Sequence, residues 1–461
     1  MNKIIWKTGI IFFMLIIGAG YVFSQTPKAL TLQECIDIAL QNNSSLRIAE
    51  YQVKSAGTNV TTVRASFLPS INTSFNAGKY IQGARVVKAD VPTGEVDPLT
   101  GRMIYEEKEI LQDKTERNSH SAGISLYQNI FDFGRSIYSY KQSTAAKNSA
   151  AHTLVNTRNL VIANVKEAFY NLLMQYRLLE VYDEAVKVAE EQVNRVQTMM
   201  DIGLASQAEV YQAKVTLGSN KTQLINQANN IEIYKANLNN ALGLYPDSPL
   251  EIVGDKLDAS FPDYDFAKAV EIALQNNESL KAMELEVKAN QHNINYAKAA
   301  FLPSIGGSIN YNRNNDDAGR VYSSELDKDF SATIGVGLDL NIFNGFADKA
   351  AVQRNTINYN IAIENYAETK RLLLSGVKQY YLQLEAYKDI IEINKQNIDA
   401  YQENLRLQQE KRRVGSGTEL EVSQAQYELT QARSNLIQAE FNAKIAKAQL
   451  EAALGIIETE K

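Results

Sequence analysis

The chain has 461 residues, a net charge of −6 and a sequence pI near 5.5, enough material for a large core or two domains and too acidic for nucleic acid or an anionic bilayer surface to be its main partner. A single cysteine, Cys35, rules out an internal disulfide, and the three histidines, His120, His152 and His292, include no pair at metal-ligand spacing. G-x-S-x-G, P-loop and Cys-His arrangements are missing as well, so the residues give no support to an enzyme, and neither a cofactor nor a metal is expected.

Met1–Ser24 reads as a secretory leader: Lys3 and Lys7 make a positive start, Gly9–Ile17 is wholly apolar, and Val22-Phe23-Ser24 precedes a cut at Gln25. An uncleaved inner-membrane anchor is the alternative, although the apolar run is shorter than the ~20 residues a spanning helix needs. No later stretch is apolar enough to span as a helix, and mean hydropathy is −0.28; β-strands remain as a way through a membrane. Cys35 follows Leu32-Gln33-Glu34, which lack the small residues that precede a lipid-modified cysteine, and is expected as a buried thiol on a helix.

Helical periodicity over about Leu32–Ser66 ends at Phe67-Leu68-Pro69, because proline disfavours helix in the residue before it. The period then changes to two. Ile71, Thr73, Phe75 and Ala77 alternate with Asn72, Ser74, Asn76 and Gly78; Lys79–Asn118 is polar, charged and without period, and is expected as a large exposed loop with a shorter counterpart near Asn312–Lys328. Ala122, Ile124 and Leu126 alternate with Gly123, Ser125 and Tyr127, and Ile305, Gly307, Ile309 and Tyr311 with Gly306, Ser308 and Asn310. In the last such run Ala332, Ile334, Val336, Leu338, Leu340 and Ile342 face one way, and Ser331, Thr333, Gly335, Gly337, Asp339 and Asn341 the other. Short segments with one apolar and one small polar face are the pattern of outer-membrane barrel strands; a soluble sheet packed on helices is the other reading. Since about eight strands make the smallest closed barrel, four would require several copies of the chain.

Val165, Leu172, Leu179, Val186, Val193 and Met200 recur every seven residues, as do Val377, Leu384, Ile391, Ile398 and Leu405. Such a repeat keeps one seam of a helix facing a partner. Each long helix ends in a tip. Gly203 in the first and Gly415 and Gly417 in the second stop the incoming helix at positive φ; Ser206-x-x-Glu209 and Thr418-x-x-Glu421 then have capping-box spacing. Gly203 and Gly415, like Glu209 and Glu421, stand 212 residues apart, and Ile38-Ala39-Leu40-Gln41-Asn42-Asn43 returns as Ile272-Ala273-Leu274-Gln275-Asn276-Asn277. These repeats predict an internal duplication: a leader at 1–24, a first unit at 25–263 and a second at 264–461, each made of a helix, two strands and a long helical hairpin.

The order helix, FLPS, paired strands, N-I-F, long helix, the Val414-Gly415-Ser416-Gly417-Thr418-Glu419-Leu420-Glu421-Val422 tip and a helix ending A-L-G, given twice in its main features, resembles the TolC family of outer-membrane efflux proteins. The resemblance covers essentially the whole chain beyond the leader. It implies a mostly α fold with membrane β: a homotrimer in outer-membrane lipid, with four strands per chain forming a twelve-stranded β-barrel, continued by a long α-helical barrel in the periplasm. The implied function is the exit duct of a tripartite efflux or type I secretion system, a passive conduit whose tips meet a periplasmic adaptor, with energy supplied by an inner-membrane transporter. A coiled-coil stalk without channel activity is the alternative. By the resemblance, Gly203, Gly415, Val414 and Thr418 fall at the tip motifs, Glu209 and Glu421 at acidic positions near the constriction, and Gln424 where some members carry a second acid. Glu421 copies could form a charged ring or simply cap helices. Tyr211, Arg412 and Arg413 could brace a closed tip, or the arginines could merely complement the helix dipole, which is the preferred role here. Gly335, Gly337, Asp339 and Asn341 are expected on the barrel lumen, and the loop Lys79–Asn118 outside the cell.

Overall fold

The computed structural model describes residues 29–254, 261 and 265–457; the leader Met1–Ser24 and the boundary expected at 263–264 lie outside them. The chain begins with α1 (Leu32–Asn42) and α2 (Ser44–Arg64). The single helix expected over Leu32–Ser66 is therefore broken. Asn43 turns out to an extended conformation (φ −64°, ψ 123°), and its side chain accepts hydrogen bonds from the N–H groups of Ser45 and Leu46. An asparagine competes with the helix by offering the next turn this side-chain cap.

Four strands follow before the first long helix: β1 (Ser70–Gln82), β2 (Arg85–Val96), β3 (Met103–Gln112) and β4 (Thr115–Phe131). The expected loop at Lys79–Asn118 is thus mostly strand. β1 and β4 run on to the pair Gln82↔Thr115, and β2 and β3 continue as a separate antiparallel ribbon beginning at Arg85↔Gln112. Val86, Val91, Ile104, Tyr105 and Ile110 favour strand, and Lys88 pairs across the ribbon with Glu107 at 3.6 Å. A ribbon wet on both faces buries neither, so no apolar period marks it in the sequence.

α3 (Arg135–Asp201) and α4 (Gln207–Leu242) complete the first hairpin. The second half runs α5 (Phe266–Asn276), α6 (Glu278–Ala299), β5 (Ser304–Asn315), the one-turn α7 (Ala318–Val321), β6 (Phe330–Asp339), α8 (Ala347–Arg413) and α9 (Glu419–Leu454). Asn277 breaks α5 from α6 as Asn43 breaks α1 from α2, capping Leu280 N–H at 3.0 Å. α3 and α8 each have 67 residues and α4 and α9 each have 36; at 1.5 Å per residue the longer pair reach about 100 Å. Among the described residues no helix is long and apolar enough to cross a membrane.

The main sheet has the order β1-β4-β5-β6, all antiparallel. Register aligns Ile71, Leu126, Ile309 and Ile334 in one row across all four strands. Their face is apolar and stays open in the single chain: Ile334, Val336 and Leu338 are 80%, 73% and 64% exposed. Gly335 and Gly337 pair with Ser308 and Gly306 on the opposite, small and polar face, and Asp339 ends the strand opposite Ser304. Asn341 lies beyond β6, so it is not a strand position as expected. The segment after β5 folds back over the apolar face near its far end. Arg313, buried, donates to the carbonyls of Ser323 and Arg320, and Tyr322 sits by the rings of Phe75 and His120.

Next to the sheet the helices lie side by side as α2, α3, α6, α8; towards the tips the order is α4, α3, α9, α8. The core sits where the short helices cross the long ones. Cys35, Ile36 and Ala39 of α1 pack with Val165, Phe169 and Leu172 of α3 and Leu238 and Leu242 of α4; Ala269 and Ala273 of α5 pack with Val377, Leu384 and Ile391 of α8. Apart from Leu179, the heptad positions in this belt are buried, whereas Val193, Met200, Ile398 and Leu405 nearer the tips are only half-buried. Cys35 is the expected buried thiol, its pKa pushed up to about 12 mainly by burial.

Two glycines that close α4 and α9, Gly243 and Gly455, hold positive φ and lie against the breaks at Asn43 and Asn277. A Cβ on Gly455 would meet the Asn276 carbonyl oxygen at 2.6 Å, whereas at Gly415, also at positive φ, it would meet nothing within 4 Å. Gly455→Ala is therefore expected to cost more than about 1 kcal/mol and Gly415→Ala distinctly less; thermal unfolding of the purified protein, with a larger fall in Tm for the first, checks the order.

Candidate functional site

Both tips are built the same way. At the end of α3, Gly203 (φ +80°) donates its N–H to the Met200 carbonyl at 2.9 Å and Leu204 donates to Met199 at 2.7 Å. At the end of α8, Gly415 (φ +78°) donates to Arg412 at 3.1 Å and Ser416 to Lys411 at 2.9 Å. These nested bonds satisfy the last carbonyls of each helix. Gly417 does not take the positive φ expected of it. It is small for a different reason: a Cβ there would lie 3.0 Å from Lys411 Cβ and 3.1 Å from Arg412 N, because the chain doubles back against the helix end.

Each following helix starts with a complete capping box. Glu209 N–H donates to Ser206 Oγ at 3.3 Å while Ser206 N–H donates to Glu209 Oε2 at 2.7 Å; Glu421 N–H donates to Thr418 Oγ1 at 3.3 Å and Thr418 N–H to Glu421 Oε2 at 2.7 Å. The backbone N–H of Ser206 is the main cause holding the Glu209 carboxyl below the usual range, and that of Thr418 does the same for Glu421.

The two glutamates then differ. Glu209 carries a second bond, accepted from Arg412 Nη2 at 3.0 Å, so the α4 start of one hairpin is tied to the α8 end of the other. Arg412 also approaches Glu419 with Nε 3.8 Å from Oε2. Glu419, only 3% exposed, accepts a hydrogen bond from Gln192 of α3. Burial, above all, pushes its carboxyl up from the ordinary glutamate value, against the pull of Gln192 and Arg412. Glu421 stays fully in solvent with no partner across the tip in the ion pairs of the described residues.

Arg412 thus links the two hairpins, and it also stands in the last turn of α8, where a cation complements the helix dipole. Arg413 keeps the exposed role, pairing with Glu410 on its own helix at 2.8 Å. Tyr211 takes no part in the brace; its hydroxyl meets Gln207 at 3.4 Å and its ring lies under Lys214. Gln424 is exposed and bonds Glu428 on its own helix at 2.9 Å. It also lines a groove of about 250 Å³ between α3, α4 and α9, with Gln192, Gln212, Thr216, Ser423 and Tyr427. Gln192 and Glu419 are the residues that sequence reading missed. Glu419 stands two places from the recognised Glu421, but only the fold brings it to a partner 227 positions away. The strand positions Gly335, Gly337 and Asp339 lie far from this assembly along the chain, at the other end of α8.

The family model described as outer membrane efflux protein matches residues 35–244 and 269–456. A probable efflux pump outer membrane protein TtgC of Pseudomonas putida is 24% identical over 375 residues, 79% of this chain and 72% of its own length. Among solved structures, the CusC channel superposes with a TM-score of 0.78 at 18% identity over 92% of both chains. The open state of the MtrE outer membrane channel of Neisseria gonorrhoeae gives 0.75 at 20% identity, covering 93% of this chain and 91% of that one. With both halves matched by one family model, the chain belongs to the outer membrane efflux protein family.

Proposed function

We propose that the chain is the outer-membrane exit duct of a tripartite efflux or type I secretion system, working as a homotrimer and not as an enzyme. The observation that carries this is the sheet: four strands, apolar on one face, with β1 and β6 both left as open edges. Strand edges cannot stay unpaired in lipid, and four strands are half the smallest closed barrel. Three copies, β6 of each beside β1 of the next, close twelve strands. The apolar face then meets lipid and the face of Gly335, Gly337 and Asp339 meets the lumen, with the β2–β3 ribbon outside the cell.

Below the sheet, the α2/α4 side of one helical layer would meet the α8 side of the next, giving a helical barrel that reaches into the periplasm. The equal helix lengths support two repeats, 25–263 and 264–461, behind an exported leader. The duct is passive and opens at its tips when a periplasmic adaptor, coupled to an inner-membrane transporter, engages them. The relatives named above as an efflux pump outer membrane protein and as outer membrane channels are in keeping with this reading.

The brace at Arg412 holds the tip closed by joining the two hairpins that must separate. Arg412→Ala removes one partner of a bond to a charged group, roughly 1–3 kcal/mol, which moves the closed-to-open ratio by about five- to 150-fold. Single-channel recordings in planar bilayers are expected to show larger conductance for this variant, and unchanged currents would remove the brace from the gate. Acid acts in the other direction. Glu419 binds its proton more tightly when buried in the closed tip than when opening exposes it, so closure gains as pH falls from neutral towards the ordinary glutamate range. Glu209, held below that range, loses its stabilising charge only at still lower pH. The open fraction is expected to fall as pH is lowered from neutral towards the ordinary glutamate range, and Glu419→Gln to flatten that profile; a parent profile without slope contradicts it.

A further inference from the structure

Phe346 opens α8 in the left-handed region, φ +68°, where the first half has Gly134 at φ +89°. A bulky side chain is rarely found there and its presence marks local strain. The ring gains little within its own chain: Phe346 is 68% exposed and Phe343, which it meets edge-on at 5.4 Å, is 71% exposed. A strained, solvent-facing aromatic pair at a helix start calls for a surface to cover it.

The same chain carries a matching surface on its opposite side. An open cleft of about 610 Å³, lined by Thr61, Arg64, Ala65, Phe67, Leu68 and Tyr140, is almost wholly apolar and has room for a phenyl ring. Phe67 and Tyr140 meet edge-on at its wall, and Leu68 is 66% exposed. The levels agree. Phe67 stands three residues before β1 and Phe343 four after β6; β1 and α2 form one side of the chain and β6 and α8 the other. When β6 of one copy lies antiparallel to β1 of the next, the end of β6 at Asp339 comes beside the start of β1 at Ser70, and the two aromatic sets meet just below.

We propose that Phe343 and Phe346 of each subunit seat in the Phe67–Leu68–Tyr140 cleft of the next copy, sealing the joint between the β-barrel and the helical barrel. The occupant is a second copy of this chain, and the inference rests on the trimeric duct proposed above. Phe346 accepts backbone strain in the single chain in exchange for a contact made only in the assembly.

The test uses the full chain in detergent, with Leu68→Cys and Phe343→Cys combined, treated with a short bismaleimide, against each single variant and the parent with its buried Cys35. Covalent dimers and trimers are expected for the double variant alone. Phe346→Gly gives a second readout with an opposite local sign: it relieves the positive-φ strain, yet its trimers are expected to dissociate at a lower temperature by light scattering corrected for detergent. A trimeric mass without cross-linking, with Phe346→Gly trimers as heat-resistant as the parent, overturns the seat and leaves the trimer standing. A monomeric mass overturns both the seat and the duct.

Discussion

Backbone hydrogen bonding at the two edges of a four-stranded sheet governs the rest of this molecule. β4 and β5 are paired on both sides over most of their length, but one side of β1 and one side of β6 has no partner within the described residues. In water such edges are tolerable; against hydrocarbon each unpaired group costs several kcal/mol. Apart from its far end, where the segment after β5 folds over it, the apolar face that accompanies them is left open, since the helices continue from the ends of the strands and do not cover it. Sheet, helical layer and exposed aromatics all present one open side and one complementary side, the arrangement that heterologous ring closure requires.

The hairpin tips are governed by a smaller, local version of the same demand. Helix ends leave carbonyls and N–H groups without intrahelical partners, and here each is met by a glycine turn and a capping box that the chain makes twice. What is not duplicated is the link between tips. Glu209 does two jobs, capping its helix and receiving Arg412, while Glu421 does only the first. Burying Glu419 beside Arg412 and Gln192 adds a carboxylate whose charge burial disfavours. The second half therefore supplies the brace to the first, and near-identical motifs carry unequal roles.

The elements best read from sequence were those with a strong local signal. Seven-residue spacing, glycine stops and capping boxes gave α3, α4, α8 and α9, and two-residue alternation gave the sheet strands. Where a local rule had no buried face to act on, reading failed: the β2–β3 ribbon, wet on both sides, looked like loop. Asn43 and Asn277 were visible as a repeat, yet their breaking of the helices depends on a side-chain cap that periodicity does not register. Asn341 continues the alternation of β6 in sequence although pairing stops at Asp339. The tip brace was half legible. Its place at the end of α8 makes Arg412 legible as a cation near the helix end, but its partner Glu209 comes close only across 203 residues of the fold.

The equal lengths of α3 and α8, and of α4 and α9, have a geometric consequence at the far end of the molecule. Both hairpins start beside the same sheet and run the same number of turns, so the two tips of a chain finish at one height. An insertion of one heptad in both helices of one hairpin alone would lengthen it by about 10 Å and leave one tip proud of the other. In the trimeric duct proposed above, level ends would form a flat annular rim, a surface that a partner of regular symmetry could meet all round at once. Length matching between the halves would then constrain docking, in keeping with the duplication expected from the sequence.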